Sequence, residues 1–220
     1  MTDISIRNVK VLDGTGSPAF DADIEIQDGR IKTVGTAGPA KHEIDGQGAH
    51  IAPGFIDTHS HDDGAFFRYP GMAFKLAQGV TTVVAGNCGF SAIPADPSID
   101  PARASGGILA GVEAGFTDLN GYFEAVMGKQ PGINNMMLVG HNTVRAIVMG
   151  MAKRAPTQTE LQHMYGLVEQ AMEQGACGFS TGLIYTPGKW SQTEEIITLA
   201  RAAKTTGALY TTHMRNEGDR

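Results

Sequence analysis

Hydrophobic and polar positions alternate through the first part of the chain. Ile4, Ile6, Val9 and Val11 are separated by polar residues, and Ile24, Ile26, Ile31 and Val34 repeat the pattern. A period of two marks strands with one buried face. Asp28-Gly29 divides the second stretch and predicts a two-residue hairpin. With a shorter extended piece at 43–52, these residues predict a small antiparallel β unit.

From Pro53-Gly54 the pattern changes. A short apolar run, Phe55-Ile56, leads into Asp57-Thr58-His59-Ser60-His61. A helix is predicted over 70–78, stopped by Gly79, and then a β-branched strand over Val80 to Ala85. Residues 91–115 are rich in Ser, Pro, Ala and Gly and read as a long loop. Thr117-Asp118 opens a helix to about Met127, followed by a buried strand from Asn135 to Gly140. Thr157 with Glu160 fits a capping box for a helix to about Gln174. A strand follows over Gly175 to Ser180. Ser191 with Glu194 fits a second box, for a helix to about Lys204, and Gly207 to Thr212 forms a last strand.

Strands that are apolar on both faces and alternate with helices predict a parallel sheet covered by helices. Polar residues gather where those strands end: His59 and His61, Cys88, His141, Ser180 and His213. Reactive groups occupy those ends in a (β/α) barrel. A doubly wound sheet usually has a Gly-rich phosphate loop after its first strand, and this sequence lacks one. The fold class expected is α/β, a partial (β/α)8 TIM-type barrel. Five strands are visible where closure needs about eight. The chain is therefore expected to be the N-terminal portion of a longer protein, truncated at Arg220. Residues 1–52 form the small β unit and 53–220 the barrel portion.

Composition narrows the function. Apolar residues make up 41% of the 220, enough to bury a core, and the 29 glycines suit a fold with many tight turns. The net charge of −6 argues against nucleic-acid or membrane-surface partners. The two cysteines, Cys88 and Cys177, form no disulfide framework, which suggests a reducing compartment. No secretion signal or membrane span is visible, so a soluble, cytoplasmic location is expected.

His59 and His61, one residue apart at the end of a strand, are expected to point the same way, and two such imidazoles can chelate one metal ion. Asp57, Asp62 and Asp63 suit either imidazole acceptors or solvated charges. Cys88, in Gly86-Asn87-Cys88-Gly89 after a buried strand, falls at the same end of the barrel; a thiolate there holds zinc and can bridge two ions. His213, after the last strand, completes the candidate set. His141 either orients substrate or holds a loop. Cys177 reads as a core residue, and His42, His50 and His163 as surface residues. Three nitrogens and one sulfur suit zinc, which polarises a carbonyl and brings the pKa of a bound water near neutral. That supports hydrolysis of an amide or a related bond. A general base is still needed, and Glu217 reads as an ordinary loop acid.

Pro-Gly-Phe-Ile-Asp-Thr-His-Ser-His, Gly-Val-Thr-Thr-Val-Val-Ala-Gly-Asn-Cys-Gly-Phe-Ser, Gly-Phe-Ser-Thr-Gly-Leu-Ile-Tyr-Thr-Pro-Gly and Thr-His-Met-Arg-Asn-Glu together resemble the amidohydrolase superfamily. Within it the chain is similar to the N-acyl-D-amino-acid deacylases, the D-aminoacylases. The resemblance implies a distorted (β/α)8 barrel and a small β-sandwich, of which residues 1–52 are the first part. It implies one zinc held tightly by Cys88, His213 and a later histidine, with His59 and His61 at a weaker second site. Tyr185 matches a tyrosine lining the pocket for the substrate side chain. The family's general base, an aspartate, falls beyond Arg220, so these residues alone are not expected to be a competent enzyme.

The expected function is therefore zinc-dependent cleavage of N-acyl-D-amino acids to a carboxylate and a D-amino acid. Two rivals stay open. One is a cyclic-amide hydrolase of the dihydropyrimidinase or dihydroorotase kind, which resembles this chain at His-x-His but bridges its metals with lysine. The other is a non-catalytic zinc-binding fragment.

Overall fold

The structure, a computed structural model, describes residues 2–113, 115–204 and 208–218. Gly207 and Arg220, which figure in the expectations above, lie outside them. The chain divides into two compact units, Met1–Gly54 and Phe55–Arg220.

The first unit is one five-stranded sheet of β1 (Thr2–Val11), β2 (Phe20–Gln27), β3 (Arg30–Gly35), β4 (Ala40–Asp45) and β5 (His50–Ile51). The expected hairpin joins β2 to β3: Asp28 (φ 53°) and Gly29 (φ 71°) both adopt the left-handed backbone that a type I′ turn requires. The sheet is mixed, however, and not antiparallel throughout. β1 pairs antiparallel with β2 but parallel with β4 and β5. Side chains decide this. The link between β3 and β4 is held by Arg7, whose guanidinium donates to the carbonyls of Ala37 and Gly38, each at 2.8 Å. Asp23 and Glu25 accept the backbone N–H groups of the same two residues. Alternation gives the faces of strands, but not which edge a following strand joins.

The second unit carries a curled, all-parallel half-barrel sheet in the order β10-β9-β8-β7-β6. Its strands are β6 (Phe55–Asp57), β7 (Val80–Ala85), β8 (Asn134–Gly140), β9 (Gly178–Gly182) and β10 (Leu209–His213). Its helices are α1 (Ala65–Arg68), α2 (Ala73–Leu76), α3 (Pro101–Ala104), α4 (Leu119–Met127), α5 (His141–Met149), α6 (Gln158–Glu173) and α7 (Thr193–Lys204). Val83, Ala85, Met137, Val139 and Phe179 face the helices and pack in one core with Leu119, Tyr122, Val144, Val168 and Leu199. The intervening Val84 and Leu138 face the concave side. Both faces of the strands are thus apolar, as the unbroken runs required.

Two local expectations fare differently. At α6 the capping box forms: Thr157 Oγ1 accepts the Glu160 N–H, and the Glu160 carboxylate accepts the Thr157 N–H at 2.7 Å. At α7 it does not, because the Ser191 hydroxyl instead donates to the Gly188 carbonyl at 2.7 Å and closes a 3-10 turn over Gly188–Trp190. Three helices were not anticipated: the short α1 and α3, the latter within the stretch read as a long loop, and α5, which springs directly from β8 with no polar loop to announce it. Its first amides, Asn142 and Thr143, donate to Gly89 O, a residue on a different loop.

Candidate metal centre

The concave side of the half-barrel ends in a cavity of about 310 Å³ whose lining includes His59, Cys88, Leu138, Thr211 and His213. Strand β6 stops at Asp57, so neither His59 nor His61 lies in a strand. They share one side of the chain because Ser60 between them is buried, its N–H on Val84 O at 3.1 Å. Their rings meet edge to face with centroids 5.7 Å apart. Lys75 braces this segment, bonding Asp57 at 2.6 Å and Asp62 at 2.8 Å. Its hydrogen bond is the main reason the Asp57 carboxyl is held below the usual range.

Cys88 comes from the turn after β7 and is almost fully buried. Its Sγ lies 3.3 Å from His59 Nε2 and 3.7 Å from His213 Nδ1. One ligand atom each of His59, His61 and Cys88 lie within 4.8 Å of one another. His213 lies outside this group, beside the sulfur. A tetrahedral zinc with Zn–S about 2.3 Å and Zn–N about 2.0–2.1 Å separates sulfur from nitrogen by about 3.6 Å. Both sulfur–nitrogen distances bracket that value, and the donor set suits a borderline-soft divalent ion. His59, His61 and Cys88 therefore fit a metal, with His213 on the other side of the sulfur.

Burial pushes the Cys88 thiol above its ordinary pKa, and the Glu217 carboxylate adds to that. Burial also lowers His61, with help from neighbouring His59, so it favours the neutral imidazole that ligates metal. Glu217 Oε1 lies 2.8 Å from His213 Nε2, on the ring edge away from the sulfur, but not in hydrogen-bond geometry. Tyr185 Oη lies 3.2 Å from His213 Nδ1, with the two rings edge to face at 4.8 Å and Phe90 on Tyr185's other side.

His141 does not enter the cavity. It is fully buried, and its Nε2 meets Glu195 Oε1 at 2.8 Å. Arg145 Nη1 reaches both oxygens of the same carboxylate, at 2.7 and 2.6 Å. This network ties helix α5 to helix α7, so His141 neither faces the cavity nor holds a loop here, but packs two helices together. Cys177 is half-buried against Met137 O, away from the histidines. Sequence reading took Asp63 for an imidazole acceptor or a solvated charge and missed its role: the side chain is buried and accepts the backbone N–H groups of Ala92 at 2.8 Å and Gly86 at 3.3 Å. Burial raises it to about 6, against the pull of those amides. It also missed what the Ser180 hydroxyl does. Its only signal for either was an uncharacteristic polar residue beside a buried strand.

A family model described as "Amidohydrolase family" matches residues 42–213. The chain belongs to the amidohydrolase family. It is 43% identical over 219 residues to an N-acyl-D-glutamate deacylase of Alcaligenes xylosoxydans xylosoxydans, covering 99% of this chain and 44% of the relative. The crystal structure of N-acyl-D-glutamate deacylase from Bordetella bronchiseptica, complexed with zinc and a phosphonate mimic of the tetrahedral intermediate, superposes with TM-score 0.90. It is 44% identical and matches over 99% of this chain and 46% of that one. A D-aminoacylase structure, described for one-metal activation and second-metal attenuation at its binuclear centre, gives TM-score 0.86 at 39% identity, over 100% of this chain and 46% of that one. The chain thus spans about half the length of the relatives it matches. No helix among the described residues is long and apolar enough to cross a membrane.

Proposed function

We propose that this chain is the metal-binding portion of a zinc-dependent deacylase that cleaves N-acyl-D-amino acids to a carboxylate and a free D-amino acid. The observation that carries the reading is the meeting of Cys88 Sγ with His59 Nε2 and His213 Nδ1. The deacylase relatives supply the substrate class. Residues 1–52 then begin a β-sandwich, and 53–220 hold the first five strands of the TIM-type barrel.

Cys88 and His213 would hold the tighter zinc, and His59 with His61 a weaker second ion. When bound, the metal supplies Lewis-acid polarisation of the scissile carbonyl and activates water near neutral pH. Glu217 stands beside the His213 ring, where carboxylates commonly orient ligating histidines. Tyr185 lines the side-chain pocket, its ring braced between Phe90 and His213. Among the described residues, the carboxylates around the centre are engaged. Asp57 and Asp62 bind Lys75, Asp63 binds backbone amides, and Glu217 faces His213. The resemblance to the deacylases implies that the base that relays the proton is an aspartate beyond Arg220.

The test is release of free amine from N-acetyl-D-methionine, N-acetyl-D-glutamate and their L-enantiomers by the intact protein. Cleavage of the D-forms alone supports the reading, and equal or reversed preference defeats it. A cyclic-amide hydrolase whose metals were bridged by lysine would keep its zinc in Cys88→Ala. Metal binding without turnover on any amide would leave the non-catalytic reading.

A further inference from the structure

Resting on that metal-centre reading, we propose that Ser180 and Asp63 are positioning residues that hold the turn carrying Cys88, so that the sulfur reaches the gap between His59 and His213. Among the described residues, their side chains hydrogen-bond neither the sulfur nor a histidine. Both act on the backbone at either side of Cys88.

The difficulty the fold must solve is one of distance. His59 follows β6 and His213 ends β10, the two outermost strands of a five-stranded sheet. Cys88 follows β7, next to β6. Its turn leaves β7, leans over the end of β8 and lands on β9. Glycines make this approach possible: a β-carbon on Gly86 would lie 2.0 Å from Leu138 O, and one on Gly140 would lie 2.5 Å from Gly89 O. Cys88 itself adopts φ +53°, a conformation unfavourable for a residue with a β-carbon. Such a backbone persists only where the surroundings over-determine it.

The clamp supplies that. Ser180, on β9 and fully buried, accepts the Gly89 N–H at 3.0 Å and donates its own proton to the Gly86 carbonyl. One hydroxyl thus ties together the two ends of the four-residue turn Gly86-Asn87-Cys88-Gly89. Asp63 accepts the N–H of Gly86 through one oxygen and that of Ala92 through the other, which fixes the chain on both sides of the turn. Asp63 lies two residues after His61, so the same carboxylate links the His-x-His segment to the cysteine. The Asn142 and Thr143 amides on Gly89 O complete the restraint. Without the clamp, the turn is free to relax towards negative φ at Cys88, which swings the sulfur away from the histidines.

The test uses cobalt(II) as a probe of thiolate ligation in the intact protein. Ser180→Ala and Asp63→Asn are compared with Val168→Ala, a truncation in the apolar core. Both clamp variants are expected to bind cobalt about 10–100-fold more weakly, as loss of groups that orient ligands does elsewhere. Their sulfur-to-cobalt charge-transfer band should weaken, and amide exchange over residues 86–92 should quicken in metal-free protein. Val168→Ala should lower the melting temperature and change none of these. A folded Ser180→Ala protein with wild-type affinity, band and exchange overturns the proposal. If that variant does not fold, Asp63→Asn decides by the same readouts. A wild-type protein without the charge-transfer band would instead sink the metal-centre reading, and exchange over 86–92 would still decide the clamp.

Discussion

Gly182 faces the carbonyl oxygen of Cys88 so closely that a β-carbon at this position would lie 1.9 Å from it. The end of β9 and the cysteine turn are therefore fitted backbone to backbone. Gly182→Ala must push Cys88 aside. Overpacking of this kind costs about 1–3 kcal/mol. The variant is expected to unfold at lower urea and to retain less than a stoichiometric amount of zinc, read by elemental analysis of the purified protein. Full zinc occupancy would mean that the turn can move without moving the sulfur.

Cys88→Ala should leave the far-UV circular dichroism unchanged and remove most bound zinc, because the sulfur is the atom common to both groups of histidines. Chelation should also lower the melting temperature of the wild-type protein. A ligand held at a thousand times its Kd stabilises the folded state by about 4 kcal/mol. Calorimetry with and without chelator checks this, and an unchanged midpoint counts against a resident metal.

The Arg145–Glu195 pair is buried at both ends, with side-chain exposures of 0% and 2%. Breaking one partner strands the other charge, which costs about 3–5 kcal/mol. Glu195→Ala should fall in that range by urea denaturation. The double variant Arg145→Met with Glu195→Leu should recover much of the loss. A double variant as unstable as the single one would mean that shape, not charge, dominates here.

Burial holds His141 below its ordinary 6.5, against the opposing pull of Glu195, with Arg145 and Arg215 also disfavouring its charge. A depressed histidine takes its proton more readily in the unfolded chain. Its contribution to stability is thus present above 6.5 and lost as pH falls through the folded value. Asp63, raised from 3.8 to about 6, acts oppositely: its contribution is complete below 3.8 and is lost as pH rises through about 6. Comparing His141→Gln with wild type isolates the histidine. The variant should lose less stability between about pH 7 and pH 5. Parallel urea midpoints over that range would contradict the assignment.

Thr157→Ala removes one half of the capping box at α6 and should cost about 0.5–2 kcal/mol. The Glu160 carboxyl, held at about 2 chiefly by Arg154, contributes stability present above 4.5 and lost as pH falls through 2. Melting temperatures of the variant across that acid range check both statements.

Much of this molecule was legible in its sequence because the deciding physics is local. Asp28-Gly29 specifies its own turn, and Thr157 and Glu160 find each other within one helical turn. The apolar runs Val80–Ala85 and Asn135–Gly140 could only be buried strands, so their last residues had to share one end of a parallel sheet. That put His59, His61, Cys88 and His213 at one end of the sheet. Two local readings failed where a competing partner lay close by. Ser191 prefers the Gly188 carbonyl to the helix it precedes, and α5 starts on an amide cap that Gly89 supplies from another loop.

What the tertiary structure alone decided depends on groups far apart in the chain. β4 joins the far side of β1 because Arg7 grips the carbonyls of Ala37 and Gly38. His141 turns away from the cavity because Glu195, 54 residues on, holds its ring. Ser180 closes a turn 91 residues before it, across a gap left by Gly140. Spacing along a chain fixes which residues end a strand. Where a sulfur finally sits depends on the hydrogen bonds and missing β-carbons of its neighbours in space, and those come into being only when the strands are side by side.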